Sequence, residues 1–187
     1  MALQREAGSA MIDLDVIETR DAKTDCVNVI IDTPRGSRSK FKFDEQAGLF
    51  RLSRILPVGM AFPFDFGSIP RTRAEDGDPL DVLVVTDVPS FCGCLMGVRL
   101  LGVLCARQDQ SGSMIRNDRL IAVPVTSVNN PPERDIHDVT PQVLDEISSF
   151  FVNYNQVHGR EFVSDGWHGR QRAESALDAA IRRFHDR

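Results

Sequence analysis

Apolar and polar positions alternate in short runs from Cys26 to Val125, then recur at helical spacing from Thr140 onward. The first pattern predicts β-strands and the second amphipathic helices. "CVNVIID" (26–32) alternates and is rich in β-branched residues. "KFKFD" (40–44) sets Phe41 and Phe43 on one face and Lys40 and Lys42 on the other. "LFRLSRIL" (49–56) reads as its partner across the turn "DEQAG". "DVLVV" (81–85) is a continuous apolar run, suited to a strand covered on both faces or held in a closed barrel. "LMGVRLLGVLCA" (95–106) and "RLIAVPV" (119–125) supply two more strands. Turn signals separate these runs, which predicts a small barrel or sandwich.

The C-terminal third is helical. Thr140-Pro141 is a helix opening, with Thr as N-cap and Pro in the first turn. Val143, Ile147, Phe150, Phe151 and Tyr154 then fall on one stripe. A second helix is expected from about Gln171, with Ala173, Leu177, Ala180, Ile181 and Phe184 inward. No internal repeat or linker interrupts the chain. The expectation is one α+β domain over 1–187, mainly β in its core, barrel first and helices last, with 1–20 a loosely attached arm.

Composition narrows the classes. A chain of 187 residues that is 42% hydrophobic can build one compact core. Its formal net charge of -5 lacks the basic field of a general nucleic-acid binder. No apolar run approaches the roughly 20 residues that span a bilayer. The first 20 residues are polar and mixed in charge, so no secretory leader and no membrane partner are expected, and the location expected is cytoplasmic. Cys26, Cys92, Cys94 and Cys105 are too sparse for a disulfide scaffold, and Cys92-Gly-Cys94 has no second pair at zinc-ligand spacing. His137, His158, His168 and His185 are scattered and form no Ser-His-Asp or Cys-His pattern.

The chemistry concentrates at "EDGDPLD" (75–81), just ahead of a strand. A turn accounts for one Asp there. Asp76, Asp78 and Asp81 together repel, by about 1 kcal/mol per pair at 4 Å even in water. Bound cations remove that cost, and an oxygen-only donor set favours Mg²⁺, with Mn²⁺ next. The spacing is not that of an EF-hand. Lys40, Lys42, Arg54 and Arg119 accompany the acids, a mixture suited to phosphate held by metal, Lys and Arg. Each of these cations taken alone reads better as part of a solvated strand face.

"EDGDPLDVLVV" resembles the signature of the soluble family I inorganic pyrophosphatases. The likeness runs from about Val27 to Phe184. It includes "KFKFDEQAGLFRLSRIL", "MAFPFDFGSIPRT", "ISSFFVNYN" and "DGWHGRQRAESAL". It implies a five-stranded, OB-like closed β-barrel with two flanking C-terminal helices. It also implies Mg²⁺-dependent hydrolysis of pyrophosphate to two phosphates in a homo-oligomer, commonly a hexamer. By position, Asp76 and Asp81 would bind metal and Asp78 would orient or deprotonate the attacking water. Lys40, Arg54 and Tyr154 would contact phosphate as part of the catalytic set, with Arg119 standing where the family has a lysine.

Several positions depart from the family. Asp32 stands for a Glu and serves as a supporting acid, and Lys42 stands for another Glu. Phe62 and Phe66 replace two tyrosines, and Asn155 replaces a lysine. Two further metal-binding aspartates fall at Gln108 and Asn117 by counting, whereas Asp109 and Asp118 are one residue away and are the candidate metal ligands. About one or two Mg²⁺ is the resulting expectation, fewer than the family's set. Lys42, on the Lys40 face, is expected to pair with substrate phosphate in a lost metal's place. The alternatives are a catalytically impaired homologue that binds phosphate compounds or serves in assembly, and a hydrolase of another phosphoanhydride. An acid-lined groove argues against single-stranded nucleic acid as a partner.

Overall fold

The computed structural model describes residues 13–125 and 133–186. Its strands are β1 (Val27–Thr33), β2 (Ser39–Asp44), β3 (Leu49–Ile55), β4 (Asp65–Ile69), β5 (Leu80–Val84), β6 (Leu95–Gln110), β7 (Ser113–Arg116), β8 (Arg119–Pro124) and β9 (Phe162–Gly169). Helices α1 (Pro141–Gln156) and α2 (Arg170–His185) flank them. Thr140 takes the N-cap position of α1 with Pro141 following, although its side chain makes no capping bond.

Pairings β1–β4, β4–β5, β5–β8, β8–β6 and β6–β1 close a ring of strands, the expected small barrel. Only β5–β8 is parallel among these. Strand β6, 16 residues long, outruns the ring and carries β7 and β9 on its extension. Strands β2 and β3 form a separate hairpin.

The unbroken apolar run at 82–84 follows from burial on both faces. Val82 and Val84 join a cluster with Ala173, Leu177 and Ala180 of α2. Leu83 joins a second cluster with Phe62, Phe66 and Phe150, Phe151 of α1. Gly102 in β6 allows a close crossing. A Cβ there would lie 2.4 Å from the His168 carbonyl oxygen and 2.7 Å from Ile136 Cβ.

The expected loose arm is in part attached. Asn28 donates its backbone N–H to the Thr19 carbonyl at 2.8 Å, and buried Thr19 donates its hydroxyl to the Pro70 carbonyl at 2.9 Å. Residues 1–12 of that arm lie outside the described residues.

Candidate active site

The acidic segment sits on the turn entering β5. Gly77 adopts φ 91°, a conformation that glycine takes without a Cβ penalty. Ala74 donates its N–H to the Asp78 carbonyl at 2.7 Å, and Leu80 donates its own to the Thr72 hydroxyl at 2.9 Å. Helix α2 braces the same turn: Arg73 donates its N–H to the Ala180 carbonyl at 3.0 Å, and Arg183 pairs with Glu75 at 3.3 Å. Asp76, Asp78 and Asp81 are thus fixed by backbone bonds.

Asp32 joins them through a bulge. The β1–β4 register slips between Ile31 and Thr33, so Asp32 has no paired partner in β4 and its side chain is re-aimed. It is buried and accepts a long hydrogen bond from the Ser68 hydroxyl at 3.5 Å. Ser68 pairs in register with Asp81, which ties the two acids to one strand. Burial, then the Asp81 charge, pushes the Asp32 carboxyl up to about 8, against the opposing pull of Lys40 and Lys42. Burial, then the Asp81 and Asp78 charges, also raises Asp76.

Each motif carboxylate has a partner from the chain. Asp76 Oδ2 accepts from the Asn117 side-chain amide at 2.7 Å. Asp78 Oδ1 accepts from Lys42 Nζ at 2.8 Å. Asp81 Oδ2 lies 2.8 Å from Arg119 Nη1. Burial pulls the Lys42 ammonium down, but its bond to Asp78 and the charges of Asp78, Asp81 and Asp76 outweigh this and raise it.

A second group of cations stands on the hairpin. Lys40 and Arg54 are register partners across β2–β3. Lys40 Nζ lies 5.1 Å from the Phe66 ring centre and 5.4 Å from that of Tyr154. Arg54 Nη1 donates to the Tyr154 hydroxyl at 3.4 Å, and its Cζ lies 5.9 Å over the same ring. Two cations and one phenol therefore converge, with no acid bonded to either cation among the described residues. Such a donor set suits an oxyanion such as phosphate.

A scan against family models matches residues 29–185 to the inorganic pyrophosphatase model. The chain belongs to the inorganic pyrophosphatase family. An inorganic pyrophosphatase of Streptomyces coelicolor is 38% identical over 160 residues, 85% of this chain and 96% of the relative. One of Geobacillus stearothermophilus is 36% identical, covering 86% and 94% of the two chains. The crystal structure of the Thermus thermophilus inorganic pyrophosphatase superposes with a TM-score of 0.83 at 32% identity, over 90% of this chain and 97% of that one.

Against that family frame, the structure brings together Asp32, Lys40, Lys42, Arg54, Asp76, Asp78, Asp81, Arg119 and Tyr154. It does not bring in the two aspartates of the β6–β8 segment. Asp109 caps the β6–β7 turn, accepting from the Gly112 N–H at 3.0 Å. Asp118 accepts from the Ala106 N–H at 3.1 Å and from Arg116 Nε at 2.8 Å. Asn117 and Asp118 form the two-residue link between β7 and β8: Asn117 meets Asp76, while both Asp118 oxygens are taken by Ala106 and Arg116. Gln108 is buried on the strand face it shares with Ala106.

Other departures are absorbed by packing. Phe62 and Phe66 pack with ring centres 5.3 Å apart and planes tilted by 46°, and both are buried. Asn155 donates its side-chain amide to the Phe151 carbonyl at 2.9 Å and closes the end of α1. Lys42 contacts Asp78, not the Lys40 group. Ser68 was missed in the sequence, because "DFGSI" is short and lies between Pro63 and Pro70.

Among the described residues, no three or more His, Cys, Asp and Glu side chains are grouped tightly enough to hold a metal ion. The donor chemistry still fits one hard divalent cation. Asp32, Asp76 and Asp81 are oxygen donors, and burial first, with the Asp81 charge second, raises Asp32 and Asp76. Asp109 and Asp118 stand outside that donor set: Asp109 Oδ1 accepts from the Gly112 N–H, and both Asp118 oxygens are engaged elsewhere.

Proposed function

We propose that the protein hydrolyses inorganic pyrophosphate to two phosphates, with Mg²⁺, or Mn²⁺ in its place, as the cofactor. The observation that carries this reading is the opposition of two charge groups, acids at the barrel's β1 and β5 and cations on the β2–β3 hairpin beside α1. Lys40, Arg54 and Tyr154 form an anion subsite, and Lys40 is near enough to Asp32 for its charge to act on that acid. The relatives named inorganic pyrophosphatase support the choice of substrate.

In this reading Lys40 and Arg54 hold phosphate oxygens, and Tyr154 steadies both through its ring and hydroxyl. Asp78 orients the attacking water and accepts its proton. Attack at one phosphorus breaks the bridging P–O bond, and the other phosphate leaves. Asp76 and Asp81, with Asp32 behind them, are the residues that would hold Mg²⁺. The ion supplies charge neutralisation and a more acidic bound water.

A cytoplasmic location is supported by four free cysteines, which suit a reducing compartment. No helix among the described residues is long and apolar enough to cross a membrane. Exposed Leu49, Leu52 and Ile55 on β3, with Phe91 and Leu95, support self-association, and the hexamer implied by the family is the assembly proposed.

Phosphate release from pyrophosphate, titrated with Mg²⁺ and Mn²⁺ beside an Asp78→Asn variant, tests the function. Metal-dependent release that Asp78→Asn abolishes is expected. Release equal to that of the variant at every metal concentration overturns the hydrolase reading and leaves a homologue that binds phosphate compounds or cleaves another anhydride.

A further inference from the structure

The acidic motif meets the chain's own cations before it meets any ion from solution. Arg119 pairs with Asp81 at 2.8 Å, with side chains only 7% and 23% exposed. Its guanidinium packs 5.3 Å over the Phe151 ring and donates to the Asn117 and Asp118 carbonyls. Its Nε is buried with no hydrogen-bond partner among the described residues. A buried, ring-stacked Arg with one orphan donor is fixed in place and leaves its site only at high cost. Lys42 takes Asp78 at 2.8 Å from an exposed position, both side chains 57% exposed. Asn117 supplies a neutral donor to Asp76.

We propose that Lys42 and Arg119 are resident counter-ions of the acidic motif, so that the resting site takes up a single divalent cation instead of a cluster. Four carboxylates face the site (Asp32, Asp76, Asp78 and Asp81), and two cations of the chain lie on two of them. Asp32 and Asp76 are left with only neutral side-chain partners among the described residues, and two such carboxylates suit one divalent ion. Asn117 and Gln108 add no charge that would call for another. Lys42 and Arg119 therefore act on the motif's acids, and Lys40 and Arg54 are the cations left for phosphate. This inference rests on the pyrophosphatase reading for the nature of the site, but its test does not need turnover.

The measurement is Mn²⁺ binding to the whole chain without substrate, read from the loss of the free-ion electron paramagnetic resonance signal. Wild type is compared with Lys42→Glu, and with Lys23→Glu as a control. Lys23 lies on an exposed turn and its change shifts the net charge equally. Wild type is expected to bind about one ion per chain. Lys42→Glu is expected to bind a second ion or to tighten the first by about tenfold or more, with Lys23→Glu unchanged. No bound ion in wild type, or two or more, overturns the proposal. So does a Lys42→Glu titration that matches that of Lys23→Glu. Phosphate release from the same samples separates the two readings. A protein that binds one ion and releases no phosphate keeps the counter-ions and loses the hydrolase. One that hydrolyses pyrophosphate with two or more resting ions does the reverse.

Discussion

Asn117 donates its side-chain amide to Asp76 Oδ2 at 2.7 Å, joining the start of the β7–β8 turn to the acidic segment 41 residues earlier. The pair is a neutral clasp on a carboxylate already raised by burial and by its neighbours. Asn117→Asp would keep an acceptor for Arg119, which bonds Asn117 Oδ1, and would set a second negative charge against Asp76. Without metal the variant is expected to lose about 1–3 kcal/mol of stability. Mg²⁺ is expected to restore most of it, because a cation between two carboxylates replaces the lost hydrogen bond. Thermal melting with EDTA and with excess Mg²⁺ measures both. Equal destabilisation in the two conditions would mean that position 117 does not face a cation site.

Substrate affinity is expected to depend on the hairpin cations. Arg54→Ala removes a planar donor next to Lys40 and is expected to raise KM for pyrophosphate by about tenfold to a hundredfold, with a smaller fall in kcat. Tyr154→Phe keeps the ring under both cations and removes one long hydrogen bond to Arg54. A change of roughly twofold to fivefold is expected, within the range of a weak neutral bond. Steady-state kinetics on the two variants checks the order. A larger effect from Tyr154→Phe would assign the phenol itself to the phosphate.

Metal-free stability should fall with pH because of Asp32. Its carboxyl is pushed up to about 8 in the fold, from an ordinary value of about 3.9 in the unfolded chain. Between those values the folded protein holds a proton that the unfolded chain has released. The Asp32 contribution is therefore full below about pH 4, declines as pH rises towards 8, and levels off above that. Asp32→Asn, which is neutral throughout, removes this contribution. Urea midpoints in EDTA at pH 5, 7 and 9 are expected to converge in the variant. An unchanged slope would mean that Lys40 and Lys42 keep Asp32 ionised in the fold.

The barrel was legible where the pattern is dense. The runs at 81–85 and 119–125 mark strands because they are buried, and the alternation at 40–44 marks one that is half-buried and paired with β3. Strand β4 escaped notice, since "DFGSI" offers five residues with a glycine. That glycine is required: a Cβ on Gly67 would lie 2.3 Å from the Ile30 carbonyl oxygen, and this close approach builds the β1–β4 pair. Strand β9, "FVSDGWHG", lacks apolar alternation and depends on pairing with the overlong β6. The acids of the site were readable as a local motif. Their partners were not, because Lys42 and Asp78 meet only in the folded chain, and a slip of one residue in the β6–β7 hairpin exchanges Asn117 for Asp118.

The proposed phosphate subsite rests on aromatic packing, and Phe62 is its base. Its ring lies 5.0 Å from Phe150, 5.3 Å from Phe66 and 6.0 Å from Tyr154. Phe66 and Tyr154 are the two rings beneath Lys40. Phe62→Ala opens a cavity in the second core cluster and is expected to cost about 3–5 kcal/mol in urea unfolding. Phe62→Leu keeps most of the volume and should cost less. At temperatures where both variants are folded, KM for pyrophosphate should rise more in Phe62→Ala than in Phe62→Leu, because Tyr154 and Phe66 gain room to move away from Lys40. If both variants lose stability in that order while KM stays at the wild-type value, the rings serve the core alone, and the position of Lys40 is set by the β2–β3 hairpin.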